Sequence, residues 1–332
     1  MAKLKAVILG AGRMGRIHSM NLSKMKDVEI VGIVDMDVDR AKNLAQTLGV
    51  QPYTEFSSVI KSNKPDVAII TTSTQSHLPL IREAAENGIH VFVEKPMGID
   101  SKENEEIVRA VERNRVKLQV GFQRLYDESF IKAKEALEGG EVGRPLLAEL
   151  ISRDPSPQPG IGTILYPGAI YDDMAIHDFA TMLWMFGFRR MRLYASGSAF
   201  VFKEYKEAGD FDTSLVNVKY EDGPLVNIDV SRCSRYGYDI RAEILGENGM
   251  IRVENRTEYE TLVFRGNQIS HAPYEWFEVR FRDAYRREVE AFVNSVIRDE
   301  RTFPDHVFAY NVGRVADAAK RSASIGEPVT VE

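Results

Sequence analysis

The sequence predicts an α/β protein: an N-terminal doubly wound parallel sheet of Rossmann type, followed by an α+β domain with a mostly antiparallel open sheet. Three observations carry this expectation. Short apolar runs alternate with amphipathic stretches over the first 121 residues, a glycine-rich turn closes the first run, and beyond residue 122 strand-like runs succeed one another without helical stretches between them. Strands buried on both faces by crossover helices read as continuous apolar runs, and strands of an open antiparallel sheet do not need intervening helices. A chain of 332 residues is long for one domain. The expected division is a nucleotide-binding domain over 1–121 and a substrate and self-association domain over 122–332, the last helix returning to the first domain.

In chain order the apolar runs are KAVILG (5–10), EIVGIVD (29–35), PDVAIITT (65–72), HVFVEKP (90–96) and VKLQVGF (116–122). Between them lie RAKNLAQTLG, LPLIREAAENG and SKENEEIVRAVERN, the last preceded by Asp100 as an N-cap with Glu103 three residues on. An eight-stranded barrel is the rival arrangement, but the alternation stops near residue 122. The second half offers RPLLAELIS (144–152), a Pro-rich loop DPSPQPGIG, then MRLYASGSAFVF, TSLVNVKY, PLVNIDVS, DIRAEILG and GMIRVEN as strands, with EDG and GENG as turns. YRREVEAFVNSVIRD (285–299) and HVFAYNVGRVADAAKRS (306–322) read as closing helices.

The first strand runs into Gly10-Ala11-Gly12-Arg13-Met14-Gly15, which completes G-x-G-x-x-G at a strand–helix junction. The first glycine permits the turn, the second lets a pyrophosphate approach the backbone, and the third lets helix and strand pack closely. Asp35 ends the second strand twenty residues after Gly15. There a carboxylate accepts hydrogen bonds from the adenosine ribose and repels a 2′-phosphate, so NAD is favoured over NADP. Met36 follows it, not an arginine; Arg40 is near enough to leave some NADP use open. The alternative is that Asp35 only opens a turn.

Ligands of open α/β sheets bind beyond the carboxyl ends of the strands. TTSTQSH (71–77) falls there and offers Thr72, Ser73 and His77 to the cofactor, as does Glu94-Lys95-Pro96. A lysine after a buried strand is placed to hold a substrate hydroxyl and stabilise the forming alkoxide; the competing reading is an ion pair with Glu94. Other chemistries lack their residues. There is no Tyr-x-x-x-Lys pair, no H-x-H, no H-E-x-x-H and no Walker loop, and a lone cysteine, Cys233, builds neither a disulfide nor a four-cysteine zinc site. No metal is therefore expected. A net charge of −6 provides no field for nucleic acid or an anionic membrane. With no run reading as a signal peptide or membrane span, a cytoplasmic protein is expected.

A second cluster lies in PGAIYDDMAIHDFATMLWMFG (167–187), read as one helix from about Tyr171, with Met174, Phe179, Met182, Leu183 and Phe186 for packing. Residues four apart share a helix face, which pairs Asp173 with His177 and leaves Asp172 and Asp178 less well placed. Asp173 would orient and support a histidine that takes a proton from an alcohol. A surface acid–histidine pair is the plain alternative.

Taken together, GAGRMGRIH (10–18), Glu-Lys-Pro (94–96), GFQR (121–124) and Asp-x-x-x-His (173–177) resemble the Gfo/Idh/MocA oxidoreductase family over almost the full length. Within it, SRDP (152–155), DDMAIHDF (172–179), EAGDFDT (207–213) and SRYGYD (234–239) are most similar to inositol 2-dehydrogenases. The resemblance implies a catalytic trio of Lys95, Asp173 and His177, cofactor contacts that extend to Glu94 and Gln123, and polyol contacts by Arg124, Asp154 and Tyr236. It also implies a homodimer or homotetramer formed through the C-terminal sheet. Three positions depart from the family pattern: Ala180 stands where an acidic residue is usual, Pro167 replaces a glycine, and Leu125 a second arginine. Loss of a hydroxyl-binding carboxylate shifts specificity strongly. The expected activity is NAD-dependent oxidation of a cyclic polyol, with a sugar as the alternative substrate; a non-catalytic NAD-binding sensor would not need the trio.

Overall fold

The computed structural model describes residues 3–156, 165–259, 261–270 and 272–332. Most of the Pro-rich loop after Asp154, and His271, lie outside the described residues. The chain forms two compact units, Met1–Tyr126 with Asp283–Gly313, and Asp127–Arg282 with Arg314–Glu332. By contact the first unit runs to Tyr126, and the segment that rejoins it holds most of the helix Arg282–Ile297 and the first part of the helix His306–Ile325.

In the first unit the strands are β1 (Leu4–Leu9), β2 (Val28–Val34), β3 (Pro52–Tyr53), β4 (Val67–Ile70), β5 (His90–Glu94) and β6 (Leu118–Gly121). They form one parallel sheet in the order β3-β2-β1-β4-β5-β6, the doubly wound arrangement. The order reverses between β1 and β4, which opens a crevice beyond their carboxyl ends. Ala6, Ile8, Ile33, Ile69 and Phe92 of the sheet meet Leu22 and Leu44 of the crossover helices and Val289, Phe292 and Val293 of Arg282–Ile297. Burial of that last apolar stripe is what brings the distant segment back to this sheet. Asp100 caps its helix as expected, accepting from Glu103 N–H at 2.8 Å.

The second unit holds β7 (Pro145–Pro155), β8 (Met191–Ser198), β9 (Thr213–Tyr220), β10 (Leu225–Ser234), β11 (Asp239–Gly246), β12 (Met250–Val253), a small hairpin of β13 (Val263–Arg265) and β14 (Gln268–Ser270), and β15 (Val329–Val331). The large sheet runs β12-β11-β7-β10-β9-β8-β15. Every pairing is antiparallel except β7 with β10. Burial alternates along β9 and β10, with Val216, Val218, Val226, Ile228 and Val230 on the covered face. The strand read as MRLYASGSAFVF stops at Ser198. There the chain turns so that Val201 and Phe202 donate their N–H groups to Asp212 Oδ2 at 2.7 and 3.1 Å.

Candidate active site

At the end of β1 the glycine loop has the geometry that its sequence requires. Gly10 adopts φ +102°, and a Cβ there would sit 2.9 Å from the Thr71 backbone. A Cβ on Gly15 would fall 1.9 Å from Gly10 O, so only glycine lets the helix Arg13–Leu22 start this close to the strand. Gly12 has open space in front of it, and the helix it caps carries no acidic residue in its first turn. An open approach to helix N–H groups suits a pyrophosphate. Arg13 is exposed beside it and Met14 half-buried. Thr71 locks the loop from β4, donating to Leu9 O and Gly10 O at 3.0 and 2.9 Å.

Asp35, at the end of β2, is held by the backbone: Ala11 N–H donates to Oδ2 at 2.7 Å and Asp37 N–H to Oδ1 at 2.8 Å. Its carboxylate is thereby fixed next to the loop, as ribose recognition needs. Met36 is 93% exposed, and Arg40 pairs with Asp37 at 3.2 Å. These residues fit a dinucleotide with an unphosphorylated ribose.

Thr72 and Ser73 share Ser76, whose hydroxyl donates to Thr72 Oγ1 and Ser73 O, both at 2.7 Å. His77 is buried, its Nδ1 facing Pro96 O at 3.0 Å and Met97 O at 3.3 Å, its Nε2 facing Thr72 O at 3.2 Å. Burial pushes its pKa down, against the carbonyl oxygens at both nitrogens, which raise it, and the ring joins the turn after β4 to the turn after β5. Glu94 turns inward as well: its Oε1 lies 2.6 Å from His18 Nε2, and Oε2 accepts from Lys95 N–H at 3.3 Å. Lys95 is half-buried. Gln123 and Arg124, in the short turn Gln123–Tyr126, are both buried.

Beneath β5 lies a group that the sequence did not bring together. His18, Glu94 and Glu288 each place a ligand-type atom within 4.8 Å of the others, and all three are buried. Among the described residues neither Glu288 oxygen has a hydrogen-bond partner. Burial, and then the charge of Glu94, raises the Glu288 carboxyl well above its ordinary range.

In the second unit the single helix expected from Tyr171 is two. One helix spans Ala169–Asp173 and the next Ile176–Phe186, with Met174 and Ala175 between them; Met174 and Ala175 N–H both return to Ile170 O. Asp173 therefore ends one helix and His177 opens the next, so the pair is not a spacing of four on one continuous helix. The break sorts the three carboxylates. Asp172 is buried against Lys320 Nζ (2.9 Å) and Tyr166 Oη (3.0 Å). Asp178 is buried and accepts from Ser152 Oγ of β7 at 2.8 Å. From Ala169 to Phe186 only Asp173, His177 and Trp184 are not buried. Asp173 Oδ2 lies 3.4 Å from Arg232 Nη2, and the packing residues Met174, Phe179, Met182, Leu183 and Phe186 are all buried as expected.

Of the other expected contacts, Asp154 is half-buried near the end of β7, and Tyr236 is 53% exposed, donating to Asp239 Oδ2 at 2.6 Å. Ala180 is buried. Thr71, His18, Asp210 and Arg232 were not singled out by sequence; each acts on a partner remote in the chain, which no local pattern reveals.

Residues 4–122 match the profile of the GFO_IDH_MocA oxidoreductase family with its NAD-binding Rossmann fold, and residues 130–252 match the GFO/IDH/MocA C-terminal domain. The chain is 34% identical to the uncharacterized oxidoreductase YrbE of Bacillus subtilis (strain 168), over 98% of this chain and 96% of that protein. It is 34% identical to the myo-inositol 2-dehydrogenase of Thermotoga maritima, over 87% of each. A crystal structure of a myo-inositol dehydrogenase from Corynebacterium glutamicum superposes with a TM-score of 0.94 at 28% identity, covering 99% of both chains.

Proposed function

The chain belongs to the Gfo/Idh/MocA family of NAD-binding oxidoreductases, and from that premise we propose that it oxidises a secondary alcohol of a cyclic, inositol-like polyol, with Lys95, Asp173 and His177 as its acid–base residues. The observation that carries the assignment is the sorting of side chains in 169–186. Asp172 and Asp178 are buried against Lys320 and Ser152, whereas Asp173 and His177 are only half-buried. The naming of the Thermotoga and Corynebacterium relatives as myo-inositol dehydrogenases supports the substrate class.

In this reading the Lys95 ammonium donates to the reacting hydroxyl and steadies the negative charge that grows on its oxygen. His177 takes the hydroxyl proton, and Asp173 keeps the imidazole oriented and supports its charge. Bound NAD would supply the hydride acceptor for the alcohol carbon. Gly10, Gly12, Arg13, Met14 and Gly15 receive the pyrophosphate side of the cofactor, and Asp35 the adenosine ribose, which sets NAD above NADP. Thr72, Ser73 and Gln123 line its nicotinamide side, while Glu94 and His77 hold the turns that present it. Arg124, Asp154 and Tyr236 select the hydroxyl pattern.

Ala180 favours a second substrate reading, a sugar, because the acidic residue usual there would bind a hydroxyl. A homo-oligomer is part of the same proposal. The outer face of the large sheet exposes Leu147, Leu215 and Leu225 around an Asn217–Asn227–Glu149 ladder, a surface suited to pairing with its own copy. Light scattering checks this, a monomer being the contrary result.

The test of function is NADH formation across a panel of cyclic polyols and aldoses, with NAD and NADP side by side. Oxidation of an inositol with NAD is the expected result. Activity confined to aldoses moves the substrate to the second reading, and silence throughout with intact NAD binding overturns the enzymatic assignment.

A further inference from the structure

Arg232, on β10, is among the largest fully buried side chains, 1% exposed. Nη1 donates to Asp210 Oδ2 at 2.7 Å and to Phe211 O at 3.2 Å, Nη2 reaches Asp173 Oδ2 at 3.4 Å, and the guanidinium carbon lies 4.6 Å from the centre of the Tyr205 ring. Asp210 is itself fully buried, and its other oxygen accepts from Ile170 N–H at 3.0 Å. One aspartate thus anchors both the guanidinium and the start of the short helix that ends at Asp173. A buried cation held by two carboxylates at unequal distances divides its charge between them.

We propose that Arg232 is a positioning residue for Asp173: shared between Asp210 and Asp173, it fixes the Asp173 carboxylate and limits how much negative charge that carboxylate presents to His177. This rests on the roles given to Asp173 and His177 above. Without the arginine, Asp173 would favour the imidazolium more strongly, and His177 would act as a base only at higher pH. Without Asp210 the guanidinium would fall to Asp173 alone, and the base would act at lower pH. The other ionisable groups around this cluster are held by burial or by partners. Burial pushes the Tyr166 and Tyr205 phenols up and keeps them neutral, Arg232 stays charged through its two carboxylates although burial opposes it, burial raises the Asp172 carboxyl while its partner Lys320 lowers it, and the Asp178 carboxylate accepts from Ser152.

The experiment is the pH dependence of kcat/KM on the best polyol of the panel, whose acid limb reports the base of the free enzyme. Arg232→Met is expected to move that limb up by about one pH unit, and Asp210→Asn to move it down while its amide oxygen still accepts from Ile170. Arg232→Lys keeps the charge and loses the fork, so the limb should stay in place while kcat falls. If Arg232→Met does not fold, Asp210→Asn and Arg232→Lys decide: a lowered limb in the first with an unmoved limb in the second supports the proposal, and any other pair overturns it. Folded Arg232→Met and Asp210→Asn enzymes that both keep the wild-type limb, or shift it in the same direction, overturn the proposal. Asp173→Asn separates the two levels. If it turns over like the wild type, the reading of Asp173 fails; if it is slow while the Arg232 and Asp210 variants keep the limb, only the role of Arg232 fails.

Discussion

Each unit of this protein holds two carboxylates close together at a residue assigned to the chemistry, and the two units neutralise them differently. In the second, Asp210 and Asp173 share the guanidinium of Arg232. In the first, Glu94 meets His18 at 2.6 Å, while Glu288 has no hydrogen-bond partner among the described residues and holds its charge down by keeping a proton. A guanidinium is charged at every working pH, whereas a carboxylic acid is neutral only below its pKa. The stability of the first cluster is therefore expected to change with pH where the guanidinium of the second keeps its charge. Asp35 represents a third solution: half-buried, it is satisfied by two backbone N–H groups and needs no counter-ion.

The largest effect should come from breaking the second cluster. Arg232→Leu strands Asp210 as a buried charge, and the cost is expected to be about 3–5 kcal/mol, much the same from about pH 6 to 8. Chemical denaturation at both ends of that range measures it, and a loss that varied steeply with pH would blur the contrast between the clusters.

In the first cluster the effect should change with pH. Above the ordinary glutamate range the unfolded chain has lost the Glu288 proton while the folded chain retains it, so stability falls as pH rises until the folded carboxyl also ionises. Glu288→Gln keeps the shape without a proton to lose. Its melting temperature should match the wild type near pH 4.5 and exceed it increasingly above, by roughly 1.4 kcal/mol per pH unit in stability. A constant difference would show that Glu288 does not hold a proton there. The same scan with added zinc or manganese sharpens the point, because one nitrogen and two carboxylates within 4.8 Å also make a cation set. Selective stabilisation of the wild type by the ion would make this a metal site and not a proton-holding one.

The smallest effect belongs to Asp35. Asp35→Ser removes the repulsion of a 2′-phosphate and leaves the fold intact, so the preference for NAD over NADP should weaken by roughly tenfold, about 1.4 kcal/mol. Cofactor dissociation constants measured side by side would reveal an unchanged ratio if Asp35 only opens a turn.

What the sequence made legible follows the same division. The glycine loop and Asp35 were readable because a strand end, a tight turn and a helix start are fixed by neighbours in the chain. The two-residue β3 was not, because two residues carry no periodicity. The break at Met174 and Ala175 was hidden for another reason: Met174, Ala175 and Ile176 are all buried, so the apolar pattern runs through it with no glycine or proline to mark it. The pairing of Asp173 with His177 was inferred from a spacing that the backbone does not keep, yet these two are half-buried while Asp172 and Asp178 are buried. Glu288 reaches Glu94, and Arg232 reaches Asp173, only through folding of segments far apart in sequence. Their chemistry is tertiary.

The most direct measurement is turnover of the active polyol by His177→Ala, with NAD affinity titrated on the same protein. The expected result is a fall in kcat of about a hundredfold to ten-thousandfold with NAD binding unchanged. Wild-type turnover in a folded His177→Ala enzyme would contradict it.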